Sequence, residues 1–214
     1  LDASQQMLRH PAAPEALEVA LLGIGRRLRD GSRSAPGSMV YARFFGSEQV
    51  MDRRLQVCRD VLWQAGADNL QVAGGKAAGD TWRWLADFGW DSQAGPGLLV
   101  KLGCLPSRIG ELSSKLEELV RRDGYEASFV VGSGRGAMKC FLPGVKWLDS
   151  NVTKGAVDKM RGIAGGIGGY ALVEKCPPES KDAIDVWGDA GQGVALMKRL
   201  KDQMDPEGIL NPGR

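Results

Sequence analysis

Histidine is almost missing from this sequence: His10 is the sole one among 214 residues. A Ser/His/Asp or Cys/His nucleophile system would have to use it, and a two-histidine metal site cannot form within one chain. His10 lies in a Pro-flanked segment near the N-terminus, where a side chain is far more often solvated than catalytic. Cysteine is scarce too. Cys58, Cys104, Cys140 and Cys176 form no C-x-x-C pair, which excludes a zinc ribbon and a redox dithiol. Four widely spaced thiols suit a reducing compartment and free side chains. No apolar run approaches the ~20 residues that span a bilayer, and the first residues lack the charged-then-apolar order of a signal peptide. A cytoplasmic location is expected, with any membrane association made through partner subunits. The formal net charge is +2 with 25% charged residues, so there is no broad basic field for nucleic acid. The run Arg26-Arg27-Leu28-Arg29 has no interleaved aromatics for base stacking and reads as a solvated helix face. The phosphate-binding pattern G-x-x-x-x-G-K-[ST] does not occur.

What is present is a chain that is 43% apolar, enough for one sizeable core or two small ones. Residues 1–38 read as an N-terminal appendage. Pro11, Pro14 and Pro36 bracket a linker helix from Glu15 to Arg29, with Pro14 and Glu15 in its first turn and arginines in its last. Residues 39–214 read as the folded domain. Strands are expected over Met39–Phe45, Asn69–Ala73, Leu98–Leu105, Ala127–Gly132, Met138–Leu142 and Tyr170–Glu174. Helices are expected from Ser47 to Ala65, Thr81 to Phe88, Ser107 to Asp123, Asn151 to Ile167 and Gln192 to Met204. Ile109, Leu112, Leu116, Leu119 and Val120 make the clearest amphipathic stripe. From Leu98 to Lys175 the order is β-α-β-β-α-β, which predicts an α+β fold with a ferredoxin-like antiparallel sheet and helices on one face. The β-α-β unit before it would extend the same sheet.

Two glycine patterns, Gly132-x-Gly134-x-x-Ala137 and Gly166-x-Gly168-x-x-Ala171, loosely match the dinucleotide fingerprint. That mechanism needs a strand before the glycines and a helix after them, so that phosphate meets the helix N-terminus. The first pattern leads into a strand and the second follows a helix, so both read as turns.

The most specific stretch is C-terminal. A basic helix, Leu196-Met197-Lys198-Arg199-Leu200-Lys201, runs into Met204-Asp205-Pro206-Glu207-Gly208-Ile209-Leu210-Asn211-Pro212-Gly213-Arg214. This D-P-x-G turn and closing N-P-G resemble the end of FAD-linked oxidases of the vanillyl-alcohol oxidase superfamily. Asp185-Val186-Trp187-Gly188, Trp82, Phe88 and Leu99-Val100-Lys101-Leu102 leading to Leu105-Pro106 resemble the glycolate oxidase E subunit in particular. The resemblance covers about residues 39–214, nearly all of the family's C-terminal domain. It implies FAD held mainly by an upstream FAD-binding domain that this chain lacks. The start at Leu1 rather than Met fits a removed upstream segment. It also implies other glycolate oxidase-type subunits as partners and a 2-hydroxy acid as substrate.

Metal-containing relatives carry H-x-G-D-G-N-x-H. Laying its glycines on Gly134 and Gly136 puts Gly132 and Lys139 at the two histidine positions and Arg135 at the aspartate. The relatives' Gly-Gly, four residues, Glu-His becomes Gly168-Gly169, four residues, Glu174-Lys175. In the relatives a divalent ion polarises the substrate and histidine removes the hydroxyl proton. With both imidazoles gone, one carboxylate supplies too few ligands, and no metal is expected. Lys139 then pairs with Glu174 or holds a substrate carboxylate. Lys175 and Glu174 are the catalytic candidates, Lys175 acting as a base only with its pKa lowered by burial. Arg83 and Lys101 are the nearest matches to the relatives' carboxylate-binding residues, although a one-residue slip would turn Lys101 to solvent. Asn211 matches the tail motif and would lie near the flavin or support the chain end.

These readings imply a metal-free cap domain of a flavin-dependent 2-hydroxy-acid oxidase that oxidises, or supports oxidation of, its substrate by hydride transfer to FAD, and that is inactive when isolated. The alternative is a noncatalytic ferredoxin-like module for ligand binding or subunit pairing.

Overall fold

A computed structural model describes residues 2–10, 12–24, 37–90, 95–188 and 193–210. Six strands form one sheet: β1 (Ala16–Ile24), β2 (Gly37–Arg43), β3 (Gly97–Gly103), β4 (Ala127–Gly132), β5 (Ala137–Pro143) and β6 (Tyr170–Lys175). Their order is β2-β1-β4-β5-β3-β6, and every neighbouring pair is antiparallel. The helices are α1 (Asp2–Arg9), α2 (Glu48–Gln64), α3 (Gly75–Ala86), α4 (Ile109–Arg122), α5 (Ser150–Gly165), α6 (Pro178–Lys181) and α7 (Gly193–Met204). The fold is α+β. The succession β3-α4-β4-β5-α5-β6 has the ferredoxin-like order, and the antiparallel pair β1–β2 lengthens the sheet beyond β4.

The helix expected over Glu15–Arg29 is not formed; residues 16–24 are strand β1, and residues 25–29 lie outside the described ones. Leu, Ala and Glu favour helix intrinsically, but β1 pairs on both edges, with β2 and β4. Val19 and Ile24 pack in one core while Ala20 packs in another on the opposite face. A strand buried on both faces reads as a continuous apolar run and loses its alternation. A division between residues 38 and 39 falls inside β2, and β1 contributes to the same core as the rest. The strand expected over Asn69–Ala73 does not form either; this stretch is largely exposed and links α2 to α3.

The larger core lies between the sheet and α4 and α5. Ile109, Leu112, Leu116, Leu119 and Val120 on α4 are buried, as the stripe predicts. Ala156, Val157 and Met160 on α5 meet Leu98, Val100 and Leu102 of β3 and Met138 and Cys140 of β5. Asp149 caps α5 by accepting from the Asn151 and Val152 amides. α1 and α2 close the β1–β2 end of this layer through Met7, Leu17, Cys58 and Leu62. α3 packs on the other face, where Leu85 and the following Phe88 meet Ala20, Leu99, Val130 and Phe141. It covers part of that face, and a row of charged side chains occupies the sheet beside it.

Candidate functional site on the sheet face beside α3

The register fixes which side chains share this face. Ala20, Val130, Lys139, Lys101 and Leu172 cross five strands as one row. Glu18, Gly132, Ala137, Gly103 and Tyr170 form the next row toward one end, and Ser128, Phe141, Leu99 and Lys175 the row toward the other. Between β3 and β6 the register slips: Leu99 pairs with Lys175, but Val100 pairs with Val173. Glu174 is therefore the extra residue of a bulge, a device that re-aims side chains.

The bulge brings Glu174 between two lysines. Its Oε1 lies 4.0 Å from Lys101 Nζ and its Oε2 lies 3.8 Å from Lys139 Nζ. Both distances exceed a hydrogen bond, and Glu174 Oε2 is buried with no hydrogen-bond partner. Lys139 Nζ donates to the Ala86 carbonyl at 2.8 Å. That carbonyl ends α3, where the helix dipole favours a cation. Lys175 Nζ donates to the Gly89 carbonyl at 3.2 Å and lies 5.7 Å from the Phe141 ring centroid. The two lysines thus tie the end of α3 to the sheet.

One row away, Glu18 is 6% exposed. Arg135 Nη2 reaches its Oε1 at 2.6 Å, while its Oε2 is buried without a partner. Burial pushes the Glu18 carboxyl above the ordinary glutamate range, against the opposing pull of Arg135 and Lys139. Arg135 lies across Gly132, and a Cβ there would run into its side chain. Tyr170 lies across Gly103, where a Cβ would come within 2.6 Å of the ring. Arg135 and Tyr170 thus fill the space above Gly132 and Gly103, and Ala137 stands between them in the same row.

Of the residues singled out from sequence, Lys101, Lys139, Glu174 and Lys175 come together here. Arg83 does not join them; it is exposed on α3 and pairs with Asp80 at 3.0 Å. Asn211 lies outside the described residues. Arg135 does face the cluster's end of the sheet, through Glu18. Glu18 itself escaped sequence reasoning because its segment reads as a helix; the trace it leaves is a lone carboxylate inside the run Ala16–Ile24. His10 is spent locally, its Nδ1 accepting from the Ala12 amide at 3.0 Å. Among the described residues no three His, Cys, Asp or Glu gather as a metal-binding set, and no helix is long and apolar enough to cross a membrane. Nor do these residues form a seat for the phosphates of FAD: the Gly132–Gly134 turn runs from β4 to β5 with no helix N-terminus after it.

The C-terminal motif has its own geometry. Asp205 accepts from the Ile209 and Leu210 amides, both at 2.9 Å, and pairs with Lys201. The Lys201 hydrogen bond holds its carboxyl below the usual aspartate range. Gly208 supplies a left-handed residue with φ +66°. The D-P-x-G sequence is thus a turn anchored on one carboxylate. α7 ahead of it exposes Leu196, Met197, Leu200 and Met204, and Ile209 and Leu210 extend the apolar set. No extensive packing joins α7 to another element among the described residues.

No curated protein matches the chain at a significant level. Residues 189–214 match the family model described as FAD linked oxidases, C-terminal domain. The antiparallel α+β architecture is consistent with that domain type. In its C-terminal stretch the chain is therefore similar to the C-terminal domain of FAD-linked oxidases.

Proposed function

We propose that this chain is the substrate-side cap of a flavin-dependent 2-hydroxy-acid oxidase of the glycolate oxidase type, working without a metal ion. The carrying observation is the Glu174 carboxylate, ion-paired with Lys101 and Lys139, whose buried Oε2 has no hydrogen-bond donor. A 2-hydroxy acid offers what this arrangement lacks. Its carboxylate accepts from the two ammonium groups, and its hydroxyl donates to the carboxylate oxygen that has no hydrogen-bond donor. In this reading Lys101 and Lys139 bind the substrate carboxylate and Glu174 orients the hydroxyl and takes its proton. Lys175, through the Gly89 carbonyl, positions the edge of the site, and Asn211 borders the flavin. Exposed Arg83 guides anions toward the face. FAD is carried by a separate flavin-binding domain, so this chain's contribution is substrate binding, orientation and proton handling. The apolar face of α7 supplies a docking surface for that body, and further subunits of the oxidase assemble around the pair in the cytoplasm.

Calorimetric titration of the 214-residue chain tests the reading. Lactate is expected to bind more tightly than propionate, which lacks the hydroxyl. Lys139→Met and Lys101→Met should each weaken lactate about 10-fold, a loss typical of a charge-assisted hydrogen bond. Equal affinity for the two acids, or lactate binding untouched by both substitutions, would overturn it.

A further inference from the structure

The two edges of the sheet are finished differently. The β6 edge is guarded. A bulge at Glu174 breaks its register, Glu174 and Lys175 put charges on the strand, and the Val173 amide donates to the Val186 carbonyl at 2.9 Å. Bulges, charges and covering segments are the devices that keep an edge from recruiting another strand. β2, at the opposite edge, has none of them. Its seven residues include no proline and no lysine, and they pair with β1 in an unbroken register. No strand lies on its outer side among the described residues. Arg43, its last residue, is its sole charge. Val40 and Ala42 pack toward α1 and α2, whereas Met39 is 41% exposed on the α3 side. Tyr41 stands beside Met39 there. Its hydroxyl donates to Met39 Sδ at 3.3 Å, and its ring centroid lies 6.0 Å from that of exposed Trp84. Arg43 follows on the same face, over the rings of Phe45 and Trp82. Open backbone donors and acceptors thus run beside an apolar, aromatic stripe.

We infer that this edge takes the β2 strand of a second copy of the chain, antiparallel about a two-fold axis, so that two sheets join into one. The charges and side chains of the strand suit a copy of itself. Antiparallel overlap of all seven residues sets Val40 opposite its own counterpart, Met39 opposite Tyr41, Ser38 opposite Ala42 and Gly37 opposite Arg43. The one cation of each copy then faces a glycine at the far end of the pair from its counterpart, and no like charges oppose each other. Met39 against Tyr41 repeats across the axis a contact that each chain already makes within itself, of the sulfur–aromatic kind. On the other face Ser38, Val40 and Ala42 are small and leave room for the approach. The pairing is isologous and closes on itself. It leaves only guarded β6 edges at the two ends of the joined sheet.

Analytical ultracentrifugation of the full chain over a concentration series tests the pairing, beside the L196E/L200E variant, which removes the apolar face of α7. Both should pass from a 23.0 kDa monomer to a dimer as concentration rises. Hydrogen exchange should slow, in the dimer alone, at alternate amides of residues 37–43. Met39→Lys sets two ammonium groups diagonally across the axis, about 7–8 Å apart, and should weaken dimerisation at least about 10-fold. Mixing Met39→Lys chains with Met39→Glu chains should restore it. Circular dichroism checks that both variants fold; if either does not, the exchange of the parent's β2 amides with concentration decides alone. A monomer at every concentration overturns the inference, as does a dimer whose β2 amides exchange as fast as the monomer's. Dimerisation lost in L196E/L200E assigns the contact to α7 and overturns it too. A chain that stays monomeric and gains protection in β2 only with a separately produced flavin-binding domain gives the edge to that body instead of a second copy.

Discussion

Gly136 shows how tightly single positions are held around the site. It carries φ +62°, and a Cβ there would strike the Cys104 carbonyl. The Gly136 carbonyl in turn accepts from the Cys104 amide at 2.9 Å. Gly136→Ala should therefore cost about 2 kcal/mol or more, from left-handed strain together with the clash. A urea midpoint lowered at constant m-value would show it. Glu18 gives a prediction in pH. Its carboxyl titrates above the ordinary range in the folded chain, so the folded state holds the proton longer than the unfolded state does. The associated stability is complete below the unfolded pKa and is lost as pH rises through the folded pKa. Glu18→Gln should flatten this fall in urea-unfolding stability from about pH 4 upward; a variant with the parent's slope would refute the assignment. At this scale the sequence was readable where a motif fixed spacing. Lys139 and Glu174, drawn from distant motifs, do meet. Glu18 was not readable, since nothing local tells a lone glutamate on a hidden strand from one on a helix surface.

Elements were legible where one face is buried and the other wet. α4 is the clearest case, its stripe read correctly residue by residue. Leu116 at its centre is 0% exposed, and Leu116→Ala should cost about 2–5 kcal/mol in denaturant unfolding. β1 was misread for the opposite reason: with apolar neighbours on both faces, the period that tells strand from helix disappears. Its inner position makes a strong prediction. Deleting residues 1–24 bares the edge of β4 and removes Val19, Ala20 and Ile24 from their cores. The shortened chain should aggregate or lose its cooperative unfolding transition. A truncated chain as stable as the parent would mean that these residues are an appendage after all. The bulge at Glu174 could not be foreseen either, because register slips depend on pairing between strands rather than on either strand's composition.

At the scale of the whole molecule, one face of the sheet is sealed by α1, α2, α4 and α5 and the other is shared between α3 and the charged rows. The resemblance in the tail implies a domain that meets another body. The exposed apolar side chains of α7 are what such a body would cover, since monomers rarely expose contiguous patches of this kind. Leu196 and Leu200, one turn apart, are exposed. The L196E/L200E variant should therefore keep its unfolding free energy within about 0.5 kcal/mol of the parent while binding less of a hydrophobic dye. A large loss of stability would mean that α7 is seated on its own chain. The open sheet face remains the centre of the account, and backbone amide chemical shifts followed during titration with a 2-hydroxy acid test it most directly. Perturbations should converge on Lys101, Lys139, Glu174 and Lys175 and on the adjoining Ala86–Gly89 segment. Shifts confined to the α4–α5 side of the sheet, or to the α1–α2 end, would contradict it.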